Sequence, residues 1–264
     1  MAITRTIWKN QFTVENVPSW TCPTCNSGSL IGDKKTIKVV ESIDSKNGRK
    51  EDEWDPEWIT GSFGGTLKCN NPKCGEAILI MGKMNVEGDH EYDEQNGGWN
   101  FSYSEFLFPL AFIPTINIFP IHSDVPKDIK EAMMESFKIY WIDIASCANK
   151  IRIVIELIMD EQKIAKTYLQ SGKRKGYSLH RRIELFKTTK PDEAELLMAI
   201  KWIGNSGSHI NDDLTKDDIL DAYEILEHVT TKLYEKDSHR LKKLSKSINK
   251  KRKPIGLKRV VKKK

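Results

Sequence analysis

The spacing of apolar residues changes along this chain, and the change divides it. Up to residue 123 they come in short β-branched or aromatic runs, at 36–43, 65–69 and 77–81, which predict strands. From Asp124 onward they recur every three or four positions, the spacing of amphipathic helices. Asp124 can cap and Pro126 suits a first turn ahead of Ile129, Met133, Phe137, Tyr140 and Ile144; Ala148, Ile151, Ile155 and Ile158 continue almost without a gap. That is one long helix or two with a corner near Asp143. Two are expected, because antiparallel partners bury both faces. Ser178 opens a short helix with Leu179, Ile183 and Phe186. Pro191 starts another, which turns Leu196, Ile200 and Ile203 inward. Thr215 and Asp218 read as a capping box before the stripe Ile219, Ala222, Leu226, Val229 and Leu233, and the core is expected to end near Asp237.

The segments between are less periodic. Residues 1–21 hold Trp8, Phe12, Val14, Val17 and Trp20 and read as an irregular lead-in. Residues 85–100 are acidic and Gly/Asn-rich, which suggests a loop; 101–120 are aromatic and interrupted by prolines, which excludes a helix and suggests an extended connector. Residues 171–176 form a basic turn, and Trp54 and Trp58 around Pro56 read as a local clasp or a surface contact.

Four of the five cysteines fall in two close pairs, Cys22 with Cys25 and Cys69 with Cys74. Strand-flanked knuckles of this kind predict a zinc ribbon, in which four thiolates close a tetrahedral shell around one structural zinc per chain; buried free cysteines are the other reading. Five cysteines are too few for a disulfide-dense secreted fold. With no apolar run near the ~20 residues that span a bilayer and no secretory leader, the expectation is a cytoplasmic protein without a membrane partner.

Charge adds an appendage. Of 42 Lys and Arg, 13 lie between Arg240 and Lys264 without one Asp or Glu, leaving 29 basic against 37 acidic residues elsewhere. Such a block is expected to be disordered and to bind nucleic acid, RNA or DNA, through Lys242, Lys243, Lys250, Lys251, Arg252, Lys253, Lys258 and Arg259. A solubilising extension, or an arm for the acidic body of another subunit, is the alternative. The whole then reads as α+β: a small N-terminal β zinc ribbon with its lead-in over 1–100, a connector over 101–125, an antiparallel α-helical bundle over 126–237 and a basic tail over 238–264.

The candidate chemistry is concentrated at 200–209, Ile-Lys-Trp-Ile-Gly-Asn-Ser-Gly-Ser-His. Lys201, Asn205 and His209 are four apart, so a continuing helix would put an ammonium, an amide and an imidazole on one face, a set that suits a phosphodiester. A helix end capped by Gly204 or Gly207 is the other reading. Arg152 and Glu156, one turn apart among aliphatics, are expected to be partly buried and paired.

The paired knuckles, the Pro-led helix, Arg152 through Glu156 and Lys201 through His209 together resemble a prokaryotic family of unknown function, also found fused to type I restriction subunits, within the HEPN superfamily. The resemblance covers about residues 20–236. It implies a HEPN-like bundle, a homodimer or a partner protein bound through it, and a role in antiviral defence or a toxin system. It also implies a metal-independent ribonuclease, for which His209 would be acid and base, Lys201, Asn205 and Arg152 would bind the phosphate, and Glu156 would position His209. Asn205 and His209 match that superfamily's Asn and His, whereas Gly204 stands where its arginine would be. A non-catalytic adaptor that docks a nuclease or restriction subunit is the alternative.

Overall fold

Alternating burial in the first half builds a sheet far larger than a ribbon. In a computed structural model, which describes residues 3–9, 11–93, 97–206 and 214–251, a short helix α1 (Thr6–Lys9) leads into strands β1 (Leu30–Gly32) and β2 (Lys38–Glu41). Helix α2 (Ile43–Gly48) and a 3-10 turn at Pro56–Trp58 follow, and then β3 (Thr60–Cys69), β4 (Ala77–Asp93) and β5 (Gly98–Ile113). All pairings are antiparallel. β5 pairs with β4 and β4 with β3, while β1 and β2 share the far edge of β3, one above the other. The five strands curl into a half-barrel.

Phe63, Leu67 and Cys69 on β3 and Ile78, Ile80, Met84 and Val86 on β4 point inward at every second residue, the pleat period. A register shift at Met81/Gly82 brings the β5 backbone so close that a Cβ on Gly82 would lie 2.0 Å from the Phe108 carbonyl oxygen. Pro109 sits at that irregularity on an edge strand, where its missing N–H costs no ladder bond.

The second half is helical except for a small hairpin. α3 (Lys127–Tyr140) and α4 (Ile144–Glu161) are separate helices, divided where the Asp143 carboxylate accepts from the Ser146 N–H at 3.0 Å. Strands β6 (Thr167–Gln170) and β7 (Lys173–Gly176) form the hairpin, and α5 (Leu179–Lys187), α6 (Pro191–Ser206), α7 (Lys216–Tyr234) and α8 (Lys236–Lys251) follow. α4 is central and packs on α3, α5, α6 and α7.

These elements share one hydrophobic core, which corrects the expected division into a small zinc ribbon and a separate antiparallel bundle. The reason lies at the junction. Trp8, Trp20, Phe112 and Trp141 pack ring against ring, with centroids 4.9 to 6.4 Å apart along the chain of contacts. Tyr140 donates to the Trp8 carbonyl at 3.1 Å, and Phe12 pairs with Leu107 at the sheet edge. The lead-in therefore ties sheet to helices, and Arg5 extends it over Asp217, Asp221 and Glu224 of α7.

Three local readings change with it. Residues 85–93 belong to β4, where a loop was expected, and 98–113 form β5, where a connector was expected. Residues 236–251 are helical, where the tail was expected to be disordered. Among the described residues no helix is long and apolar enough to cross a membrane.

Candidate functional site

The two cysteine pairs meet at the rim of the sheet. Cys22 and Cys25 lie in the turn before β1, Cys69 ends β3, and Cys74 lies in the turn that joins β3 to β4. Each knuckle closes with a residue in the left-handed region, Asn26 (φ 50°) and Gly75 (φ 63°), which takes the chain back under its own sulfurs. Their four Sγ atoms lie within 4.8 Å of one another, Cys22 to Cys74 at 3.8 Å and Cys25 to Cys69 at 3.7 Å. Sulfurs about 2.3 Å from a tetrahedral ion stand about 3.8 Å apart, so the spacing fits a four-thiolate metal site.

Surrounding groups favour that use. The Gly28 N–H donates to Cys25 Sγ at 3.2 Å and the Asn71 N–H to Cys69 Sγ at 3.4 Å. Hydrogen bonds from Ser27 and Gly28 lower the Cys25 thiol to about 5, and burial pushes the Cys69 thiol up to about 12. One thiolate thus forms readily while its neighbour needs a cation. Gly28 is required by geometry, since a Cβ there would meet Cys69 Sγ at 2.5 Å. Ser29 N–H to Asn70 Oδ1 (2.8 Å) and Thr24 to Glu76 (2.9 Å) clamp one knuckle to the other.

The second candidate is the face shared by α4 and α6. Gly204 of α6 lies so close to α4 that a Cβ would fall 2.5 Å from Arg152 Cγ and 2.9 Å from its Cδ. The arginine stem therefore fills the space in which a side chain at 204 would begin. Lys201, one turn earlier on α6, is 7% exposed, with Nζ 3.2 Å from the centroid of the Trp202 ring. Burial lowers its pKa, and the charge of Arg152 lowers it further. Asn205 is half-buried beside them. Among the described residues neither cation has a carboxylate partner, so this face concentrates positive charge. His180 of α5 meets the Trp202 indole edge to face, with ring centroids 6.0 Å apart.

Not every predicted residue joins this cluster. Glu156 is exposed and forms no ion pair with Arg152 among the described residues, which corrects the expected buried pair: the α4 face at 156 turns to solvent while Ile155 and Ile158 turn inward. The buried pair is Arg182 of α5 with Asp160 of α4, at 2.6 Å, a partnership between two helices that the spacing within one helix could not reveal. His209 lies outside the described residues. Lys242, Lys243, Lys250 and Lys251 lie on α8, while Arg252, Lys253, Lys258 and Arg259 fall outside the described residues.

Comparison with known families gives two matches, one to each half. Residues 10–112 match a domain of unknown function, DUF8608, and residues 134–251 match a second, DUF4145. No curated protein and no solved structure matches the chain.

Proposed function

We propose that this chain is a nucleic-acid-binding protein of the HEPN-related kind, in a prokaryotic defence or toxin system, with a structural zinc ion at Cys22, Cys25, Cys69 and Cys74. Four thiolates fill the tetrahedral shell and leave no position for a reacting water. The metal then stiffens the rim of the sheet and takes no part in chemistry.

The observation that carries nucleic-acid binding is the Arg152–Lys201 pair, two cations brought together on α4 and α6 with no carboxylate partner among the described residues. Holding like charges together costs free energy, and a phosphate group would recover it. Arg152 can offer a planar fork of donors to two phosphate oxygens, Lys201 a point charge and Asn205 an amide. Lysines on α8 and in the basic tail add contacts along the backbone that read no sequence. His209 supplies the acid–base group if RNA is cut.

Filter binding to single-stranded RNA tests this. Arg152→Ala and Lys201→Ala should each weaken binding at least about tenfold and flatten its salt dependence by about one unit of slope. A wild-type chain that retains no RNA at low salt sinks the reading. Incubation of wild type and His209→Ala with RNA in chelator separates binding from cleavage.

A second reading has its own observation. Between β5 and α3, a groove of about 530 Å³ is lined by Phe112, Ile113, Pro114, Met134, Trp141 and Ile142, several of them exposed. Such a groove suits an adaptor that docks a nuclease subunit. Met134→Asp with Ile142→Asp would then release a co-expressed nuclease subunit while RNA binding stays unchanged.

A further inference from the structure

The β4–β5 hairpin runs on past the point where helices cover the sheet. Cross-strand pairs share a face, and the face that buries Met84, Val86 and Leu107 continues outward through Tyr103, Phe101, and Trp99 opposite Tyr92. These four aromatics are 43 to 61% exposed, with Tyr92 and Trp99 edge to face at 5.3 Å. Among the described residues a core-type face thus continues into solvent-accessible aromatic surface. Residues 85–105 hold six Asp and Glu and no Lys or Arg, and Glu87 and Asp89 stand on the opposite face.

α8 has the complementary character. Leu241, Leu244 and Ile248 recur at helical spacing along one side, with Leu241 54% and Ile248 38% exposed, and residues 236–251 carry seven Lys and Arg against one Asp. The dimensions also correspond. The apolar stripe of α8 runs about 10 Å, at 1.5 Å per residue, and the aromatic face from Trp99 to Tyr103 about 13 Å, at 3.3 Å per residue.

We propose that the acidic aromatic hairpin of one copy of this chain receives the basic amphipathic helix α8 of a second copy, in a twofold exchange. Both surfaces are exposed at once on a single chain, so they do not cover each other within it. Glu105 shares the aromatic face, and the acids on the reverse of the same two-stranded ribbon lie within one Debye length (~10 Å), so the field of the hairpin opposes a nucleic-acid occupant and favours a basic one. The aromatics offer roughly 400 Å² of exposed surface, so one hairpin–helix contact would bury roughly 800 Å² counted on both partners, the size of a lattice contact. The twofold arrangement doubles this to roughly 1,600 Å², the size of a stable interface, which is why a symmetric pair is favoured over a single docking event. The proposal stands independently of the α4–α6 phosphate site.

Light scattering on the full chain tests it. The wild type should be a dimer. Trp99→Glu with Tyr103→Glu, and separately Leu241→Glu with Ile248→Glu, should each raise the dimer dissociation constant about 100-fold or more, with metal content and circular dichroism unchanged. Glu105→Lys, on the aromatic face itself, should also weaken the dimer, and adding Lys243→Glu with Lys246→Glu should restore it. A monomeric wild type, or a dimer that survives all of these changes, overturns the proposal. So does a hairpin variant that keeps its mass but loses affinity for oligonucleotide, which would make the aromatics a base-stacking platform.

Discussion

Lys201 is a poor choice for stability and a good one for gripping an anion. Its ammonium is buried beside Arg152 without a carboxylate among the described residues, so Lys201→Met is expected to stabilise the fold by on the order of 1 kcal/mol while weakening RNA binding. Urea denaturation and filter binding on the same samples check both, and a loss of stability would show that the lysine has a partner. The sign with pH follows. Because the folded-state pKa is lowered, the cost of the charge is fully present at neutral pH and is relieved as pH rises through that lowered value. RNA affinity should fall over the same interval, and Lys201→Arg should remove the dependence. Gly204 makes the companion case. Its neighbour Arg152 occupies the place of a side chain, so Gly204→Ala should cost about 1 to 3 kcal/mol in a denaturant titration, and Gly204→Arg should cost more and gain no activity.

Among the elements, helices were legible and long strands were not. Ser178 and Thr215 each cap the helix that their sequence context predicted, and Asp143 marks the expected corner, because a cap and an apolar stripe are local signals. α3 instead starts directly after Pro126, which takes the N-cap place expected of Asp124. β4 and β5 carry the opposite lesson. Among the described residues of 87–105 none is buried on either face of the hairpin, so burial gives no contrast to read, and Pro109 and the glycines look like loop residues until the register shift explains them. The β6–β7 hairpin was hidden likewise: its strands are almost wholly exposed and its turn rests on Ser171 and Gly172 at positive φ. Helix–helix partners were missed for a different reason, since Arg182 and Asp160 are 22 residues apart. Burial pushes the Asp160 carboxyl up, but hydrogen bonds from Lys166 and Arg182 outweigh it and hold the pKa below the usual range. Arg182 also donates to the Ile164 carbonyl at 3.1 Å at the end of α4. Arg182→Ala should therefore cost about 2 to 3 kcal/mol. With a depressed folded pKa, the pair's contribution is complete above about pH 4, the unfolded carboxylate's value, and disappears as pH falls through the lowered one. Wild type and variant should accordingly converge in acid denaturation, and a constant difference down to pH 2 would assign the loss to packing.

At the scale of the whole molecule, a single core makes the metal site matter beyond its own rim. Cys22 and Cys69 are buried in the same cluster as Trp20 and Leu30, and Trp20 meets Phe112 and Trp141, the last of these at the end of α3. If the proposed metal is removed, four thiols would converge without a cation, the knuckles that anchor β1 to β3 and turn β3 into β4 would be freed, and the aromatic junction on which the helices rest would loosen. The sheet alone could not compensate, since its inner face is filled by lead-in and helical residues. Chelation, or Cys69→Ser, is therefore expected to lower the melting temperature of the entire chain by about 10 °C, equivalent to roughly 4 kcal/mol at this size. Helical circular dichroism and tryptophan fluorescence should fall together in one transition. A separate ribbon would behave differently: the fluorescence change would move to lower temperature while the helical signal kept its original midpoint. Metal analysis on the same samples should give one zinc per wild-type chain and none in Cys69→Ser, and a variant that loses its metal with no change in either midpoint would reduce the four-cysteine cluster to a passive part of the core.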